Sequence, residues 1–434
     1  MTPESWGRIP RLRPAAVVPL HWAEPAALAG RAAPILAHGL GRSYGDACLN
    51  EGGTLLLTRG LDRFLALDEA AGTLTCEAGV SLAEILTLVV PRGWFLPVVP
   101  GTQHVTVGGA IANDVHGKNH HRAGTFGGQV RWLELLRSTG EVLRCSPDGN
   151  RELFAATVGG LGLTGLVLRA GLSLRRIATT RVAAESLPLR DLSEFFAGSA
   201  ESDQRFEYTV AWIDCLASGA RLGRGILHRG NHAAGPGPLA WRSGSRLSVP
   251  FELPFSPLGR LTLGAFNALY HAAHRGAGAR AVEARGFFFP LDGVARWNRI
   301  YGRAGFFQFQ CQVPPPAAPE ALRALLATIA RSGQGSFLAV LKNFGAAPSP
   351  GLLSFPREGT TLALDFPDRG ERTARLFREL HAVVADHRGR IYSAKDAHMS
   401  PAQFAAQHRE ALPAFRAQVD PAFSSSLWRR VTGG

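Results

Sequence analysis

The sequence predicts an α+β protein of two or three domains, and three observations carry that expectation. Its 434 residues exceed what a single hydrophobic core usually spans. Residues 33–180 alternate short apolar runs with glycine-rich turns, the pattern of strands. Residues 306–395 read strand, helix, strand, strand, helix, strand. That split βαβ order builds an antiparallel sheet with helices on one face.

In the first region TLLL, LTCEAGV, VRWLELL and GLVLRAGLSL are the strand candidates. Ser81 and Glu84 form an S-x-x-E capping box ahead of ILTLVV, so a helix starts there. A second helix covers roughly 150–158 and is closed by Gly159-Gly160. Residues 230–260, rich in Gly, Pro and Ser, read as a long loop or mobile segment.

From 306 the signal sharpens. FFQFQCQV alternates, with Phe307, Phe309 and Cys311 on one face and Gln308, Gln310 and Gln312 on the other. Leu322, Leu325, Leu326 and Ile329 at helical spacing predict a helix over 319–332, with Gly333 past its end. Strands follow at SFLAVLKNF and TTLALDFP. A helix carrying Leu376, Phe377, Leu380, Val383 and Val384 leads to a last strand, RIYSAK. Gln308, Gln310, Lys342 and Lys395 thus sit inside strands. Polar groups there are costly unless they face a wet or functional space.

Composition narrows the function. An apolar content of 46% with 19% charged residues describes a globular chain and excludes collagenous, coiled-coil and disordered classes. The formal charge of +13 favours acidic partners such as phosphates or an anionic membrane surface. The arginines are scattered with no run of five, whereas a nucleic-acid footprint clusters. Five dispersed cysteines without a C-x-x-C argue against a disulfide framework and structural zinc. The N-terminal stretch lacks the apolar core of a signal peptide, and no segment reaches the ~20 apolar residues of a membrane span. The expectation is a cytoplasmic protein, attached at most peripherally to the inner face of the plasma membrane.

Two glycine-rich segments stand out. HGLGRSYGD (38–46) resembles a dinucleotide-binding glycine turn, but its third glycine is displaced and no helix follows. A tight turn whose N–H groups approach a pyrophosphate remains. Residues 100–130 hold seven glycines, more than turns alone require, so backbone lies close to a large ligand. His104, His116, His120 and His121 fall in the same stretch, but no H-E-x-x-H or carboxylate set beyond Asp114 accompanies them. No metal is expected, and without a G-x-S-x-G a serine-hydrolase elbow has no support.

Of the 47 basic residues only Lys118, Lys342 and Lys395 are lysines. Arginine keeps its proton, whereas a buried lysine loses its own near neutral pH and fits a tighter site. All three lie in the polar segments already singled out, which makes them site residues.

GLGRSYGD, PGTQHVTVGGAIANDVHGKNHHRAGTFG, ATVGGLGLTG, NRIYGRAGFFQFQ, AVLKNFG and IYSAKD, in that order, resemble the FAD-dependent oxidoreductases of the vanillyl-alcohol-oxidase and p-cresol-methylhydroxylase type. The resemblance covers nearly the whole chain and is weakest at about 183–285. It implies a two-part FAD-binding domain, residues 1–182 with a C-terminal return at 389–434, and a substrate domain at 183–388. By the same resemblance two loops cradle the FAD pyrophosphate. One carries Gly39, Leu40, Gly41, Arg42, Ser43, Tyr44, Gly45 and Asp46. The other carries Gly101, Thr102, Thr106, Val107, Gly108 and Gly109. His116, Val167 and Tyr392 lie near the cofactor. Tyr44, His116, Lys118, Trp212, Tyr301, Gln308, Gln310, Lys342 and Lys395 border flavin or substrate. Sugar-lactone oxidases of the superfamily attach FAD to a histidine in a G-R-S-H-S turn. Tyr44 stands there in this chain, which implies non-covalent FAD, with His116 the alternative attachment point. Position 363 is Ala, so that strand offers no cysteine.

The resemblance further implies oxidation of the C2′ hydroxyl of a polyprenylphosphoryl-β-D-ribose to the 2-keto sugar. Lys395 is the candidate base, and either Lys395 or Lys342 stabilises the alkoxide. Lys118 and His116 hold the substrate phosphate or the flavin edge, and Gln310 orients the sugar. A nicotinamide-dependent keto-reductase then gives the arabinose epimer used for cell-wall arabinan. A lipid-linked substrate suits a basic protein at an anionic membrane, with FELPFSPLGRL and GFFFP as segments able to touch lipid. The rivals are a sugar-lactone or sugar-alcohol oxidase, a nucleic-acid-binding module and a metallohydrolase.

Overall fold

The computed structural model describes residues 3–274 and 278–433. Strands β1 (Ala16–Pro19), β2 (Ile35–His38) and β3 (Thr54–Leu57) make a small parallel sheet with β3 in the middle. Strands β4 (Phe64–Asp68), β5 (Thr73–Glu77), β6 (Val130–Leu136), β7 (Val142–Cys145) and β8 (Leu166–Ser173) form an antiparallel sheet in the order β4-β5-β8-β6-β7. Between β5 and β6 lies α1 (Leu82–Val89), started by the Ser81–Glu84 capping box with both reciprocal bonds present. Helix α2 (Val107–Ala112) follows, capped by Thr106. Helix α3 (Arg151–Thr157) precedes Gly159-Gly160.

An eight-stranded antiparallel sheet takes up most of the remaining chain. Its strands are β9 (Arg181–Leu189), β10 (Tyr208–Ile213), β11 (Gly225–His232), β12 (Arg280–Glu283), β13 (Phe306–Val313), β14 (Ala339–Phe344), β15 (Gly359–Pro367) and β16 (Arg390–Ile391). Their spatial order is β12-β9-β11-β10-β14-β15-β13-β16. Helices α4 (Leu192–Arg205), α5 (Arg260–His274), α6 (Ala318–Ser332) and α7 (Glu371–Asp386) belong to this half. The β13-α6-β14-β15-α7-β16 run places β15 between β13 and β14, as a split βαβ unit requires.

Alternation on β13 divides the two faces of this sheet. Phe309 and Cys311, with Leu362, Leu364 and Phe366 of β15, join one of the two main buried clusters beside Leu322, Leu325, Leu326 and Ile329 of α6 and Leu376, Phe377 and Leu380 of α7. Each such side chain contributes about 1.5–3 kcal/mol through burial, which fixes the strand's orientation. The opposite face therefore presents Gln308 beside Asp365, Gln310 beside Ala363, and Lys342 beside Thr361.

The structure differs from the sequence reading at three places and agrees with it over 230–260. The last strand stops at Ile391, and Lys395 lies on the 3-10 turn Ser393–Lys395 that follows it. The glycine-rich stretch contains α2 because Gly108 and Gly109 pack where larger residues would not fit. A Cβ at Gly108 would meet the Ala78 Cβ at 3.2 Å, and one at Gly109 the Thr106 hydroxyl at 3.0 Å. The aromatics of GFFFP turn inward, with Phe288 and Phe289 buried in the N-terminal core beside Phe95. The segment 230–260 is largely irregular apart from the end of β11 and Leu247–Ser248, and residues 275–277 lie outside the described residues.

The C-terminal segment returns to the N-terminal half. Ile35 N–H donates to Ala422 at 2.7 Å, and Ser424 N–H donates to Ile35 at 3.0 Å. Arg430 holds both carboxylate oxygens of Asp46, at 2.8 and 2.9 Å, and reaches Asp396 at 3.3 Å. One guanidinium thus ties the GRSYGD turn to the turn that carries Lys395.

Candidate active site

A cavity of about 340 Å³ runs between the two halves, within the range of small-molecule sites, roughly 300–1,000 Å³. Gly39 to Tyr44, Gly101, Thr102, Thr106, Gly108, Gly109, His116, Lys118, Val167, Gln308, Gln310, Lys342, Tyr392 and Lys395 all line it. Five other expected residues stand behind the wall. Gly45 packs so tightly on the Asp396 backbone that a Cβ would collide with it, and Asp46 is engaged by Arg430. Val107 is core. Trp212 donates to the Phe337 carbonyl at 3.1 Å, and Tyr301 stacks on Phe306 at 3.9 Å.

The GRSYGD turn follows β2 directly. Gly41 has φ +60, a region favouring glycine, and a Cβ there would strike the Glu4 carbonyl. The backbone N–H groups of Leu40, Gly41 and Arg42 find no acceptor among the described residues, whereas that of Ser43 faces the Cys48 thiol. Successive free N–H groups on a cavity wall attract an anion. The first N–H groups of α2 are spoken for: Val107 donates to Val80, Gly108 to Ala78 and Gly109 to the Thr106 hydroxyl. The anion-attracting wall is therefore the 40–42 turn. Arg42 adds a fixed charge there, stacked 3.8 Å over Trp6.

At the sheet end, the Gln310 amide donates to His116 Nε2 at 3.1 Å. Burial, then the Lys342, His120 and Lys395 charges, hold His116 well below its ordinary pKa, so the ring is neutral and accepts this bond. Lys342 Nζ donates to the Gly117 carbonyl at 3.0 Å. Lys118 Nζ donates to the Phe287 carbonyl and sits 4.9 Å over that residue's ring. Lys395 Nζ lies 4.0 Å over the Tyr44 ring. Burial pulls Lys118 down to about 7. Burial, with Lys118 and Lys395 adding repulsion, pulls Lys342 to about 7. Burial brings Lys395 to about 8, with Asp365 opposing the shift and Arg42 reinforcing it.

Asp365 is the residue that sequence reasoning missed. It is fully buried, receives the Gln308 amide on Oδ1 at 2.5 Å, and its Oδ2 has no hydrogen-bond partner. Burial pushes it up to about 7 against the pull of Gln308 and Lys395. The charges of Asp365 and Lys395 each favour the ionised form of the other. Its signal in the sequence was a lone carboxylate inside TTLALDFP, meaningful only once the register sets it beside Gln308. Asp292 was also missed; it accepts from the Thr102 hydroxyl at 2.7 Å and the Gln103 N–H at 2.9 Å, and so shapes the second glycine loop.

Among the described residues no three His, Cys, Asp or Glu side chains converge as a metal-ligand set. Of the histidines in the glycine-rich stretch, His120 accepts from the Gly345 N–H at 3.2 Å and His121 bonds the Phe206 carbonyl at 3.0 Å.

Residues 17–146 match the family model described as an FAD binding domain. Over 411 residues, 92% of this chain and 89% of the relative, the sequence is 36% identical to a protein of Mycolicibacterium smegmatis named decaprenylphosphoryl-β-D-ribose oxidase. The chain belongs to the decaprenylphosphoryl-β-D-ribose oxidase family. A Streptomyces coelicolor relative named only as an uncharacterized protein is 37% identical over 81% of this chain and all of its own length. Human Δ(24)-sterol reductase is 29% identical over 33% of this chain and 28% of its own.

As a member of that family the protein is an FAD-dependent oxidoreductase. Its residues fit the cofactor. The unpaired N–H groups of Leu40, Gly41 and Arg42 suit a pyrophosphate, and a Cβ at Gly101 would meet nothing within 4 Å, so that loop leaves room for a large ligand. Buried His116 Nδ1 and Arg42 Nε also lack partners.

Proposed function

We propose that the protein oxidises the C2′ hydroxyl of a polyprenylphosphoryl-β-D-ribose to the 2-keto sugar. One observation carries the reading: a single cavity joins the N–H cradle at 40–42 to Lys118, Lys342 and Lys395 and to an apolar wall of Val210, Leu291, Leu338 and Val340. A phosphate beside a prenyl chain has that polarity. Residues 1–182 with 389–434 serve as the FAD-binding part, and 183–388 as the substrate domain, whose sheet supplies the glutamines and Lys342.

Bound FAD supplies the hydride acceptor for such an oxidation. Leu40 to Arg42 hold its pyrophosphate, and Tyr392, fixed by its hydroxyl donating to the Asn113 carbonyl at 2.8 Å, walls the cavity beside His116. FAD is held without a covalent bond, because Tyr44 occupies the turn where attachment needs a histidine. Lys395, as the free amine, takes the hydroxyl proton, and Lys342 stabilises the oxygen that is left. Gln310, kept in place by His116, orients the sugar. Lys118 and Lys342 face the substrate phosphate, whose negative charge raises their pKa from about 7 and keeps them cationic while Lys395 is the free amine. A nicotinamide-dependent reductase consumes the 2-keto product.

The purified holoenzyme is expected to turn over polyprenylphosphoryl-β-D-ribose and to release its flavin on acid precipitation. Preference for a sugar lactone, with flavin kept in the pellet, would replace this reading by the lactone-oxidase one.

The pH profile tests the proton acceptor. Activity needs Lys395 deprotonated, so the acidic limb of kcat falls as pH drops through about 8. The Asp365 charge raises the Lys395 pKa, so removing it lowers that pKa. Asp365→Asn, which keeps an oxygen for the Gln308 amide, is expected to move the acidic limb to lower pH. A limb that stays put would show that Asp365 does not set the proton affinity of the base.

A further inference from the structure

The outward side of α5 breaks the rule for a surface helix, which carries polar residues where it meets water. Leu261, Ala265, Ala268, Leu269 and Ala272 are all exposed and share one face at helical spacing. Leu261 is 89% exposed and Leu269 72%. Thr262 is the only polar residue among the exposed positions 261–273, and its hydroxyl is occupied by the Pro257 carbonyl at 2.7 Å. The preceding segment adds Leu247, Phe251 and Phe255, with Phe255 72% exposed.

The inward side of the same helix is well seated. Leu263 and Asn267 are buried, Asn267 donates to Asp214 at 2.7 Å, Tyr270 packs on Trp212 at 4.5 Å, and the partly exposed Phe266 reaches Phe337 at 6.0 Å. Phe337 in turn packs against Trp297, which lines the cavity. Helix α5 therefore has two apolar faces, one packed on Trp212 and Phe337 behind the cavity wall and one turned outward. Two apolar faces on one surface helix imply two partners.

The charge around the outward face identifies the second partner. Residues 242–274 contain Arg242, Arg246 and Arg260 but a single carboxylate, Glu252, which is paired with Arg8. Arg299 and Arg303 are bound to the same segment, Arg299 donating to the Pro250 carbonyl at 2.7 Å and the Arg303 N–H to Leu253 at 3.0 Å. Arginines around aromatic and leucine side chains make the composition of an interfacial membrane contact.

We propose that the outward face of α5, with Phe251 and Phe255, docks on an anionic lipid bilayer and brings the cavity mouth to the membrane surface. The inference deepens the reading of a lipid-linked substrate and rests on it for its purpose, although the docking itself is measured without substrate. The leucines enter the acyl boundary, and the arginines meet the headgroup phosphates. A substrate with its prenyl chain in the bilayer then reaches the lysines without leaving the membrane.

The test is flotation of the full-length holoenzyme with phosphatidylcholine vesicles, with and without phosphatidylglycerol, for the wild type and for Leu261→Gln/Leu269→Gln. The wild type is expected to float with the phosphatidylglycerol vesicles and to lose that retention at high salt. The double variant should bind them less tightly by about tenfold per leucine. Its flavin content, circular dichroism and turnover of a short-chain water-soluble substrate should match the wild type. Equal retention of both proteins, or equal retention on neutral vesicles, would overturn the proposal. A concentration-dependent dimer lost in the variant, without vesicle binding, would assign the face to a second copy instead. Docking without turnover of any polyprenylphosphoryl ribose would refute the proposed activity and leave the docking face standing.

Discussion

Lys395→Met is expected to lower kcat by about 10²–10⁴-fold, the range for losing a positioned acid–base group, with FAD still bound. Two features single out Lys395 from the other two lysines. Among the described residues no backbone carbonyl accepts from its ammonium, which lies 4.0 Å over the Tyr44 ring. Lys342 and Lys118 both donate to carbonyls, at Gly117 and Phe287. It is also the lysine whose proton affinity answers to a buried carboxylate, Asp365. Lys342→Met removes charge near the same cavity but not the proton acceptor. Its loss should therefore fall more on KM and less on kcat than that of Lys395→Met. Rapid-reaction measurement of the two variants separates the roles, and equal kcat losses would contradict them.

Arg430→Ala is expected to destabilise the protein by about 3–5 kcal/mol, as for removing one partner of a buried ion pair. Asp46 and Asp396 are both nearly inaccessible, and Arg430 is the counter-ion between them. Removing it leaves two carboxylates with little water and one another's repulsion. The damage extends to function because Asp46 anchors the GRSYGD turn and Asp396 follows Lys395 in the chain. Thermal denaturation and flavin content report the two effects separately. Loss of FAD should accompany the loss of stability, and a variant as stable as the wild type would show that the C-terminal return does not clamp the site.

The parts legible in the sequence were those with strong periodicity or composition contrast. Strict alternation in FFQFQCQV separated Phe309 and Cys311 from the glutamines, and the fold buries the two sets on opposite faces. The lysines stood out because arginine is the default base in this chain. Register was not legible. Nothing in TTLALDFP says that Asp365 lies beside Gln308, since pairing depends on where β13 and β15 meet. Helix α2 was hidden because Gly108 and Gly109 oppose helix propensity, and close packing on Ala78 and Thr106 overrides it. Lys395 was read into a strand because RIY continues the apolar pattern, although the chain turns at Ser393. Helix α5 was obscured in a different way. FNALYHAAH carries apolar residues on both faces, and only the packed fold distinguishes the seated Tyr270 from the exposed Leu269.

The measurement that bears most directly on the activity is anaerobic mixing of the FAD-loaded enzyme with polyprenylphosphoryl-β-D-ribose, followed by the visible flavin absorbance. Three substrates are compared: unlabelled, deuterated at C2′, and deuterated at C3′. The proposed function predicts bleaching that is slowed by deuterium at C2′ and not at C3′, and nearly abolished in Lys395→Met. Flavin that stays oxidised in the presence of this substrate, or a slowing confined to the C3′ label, would contradict it.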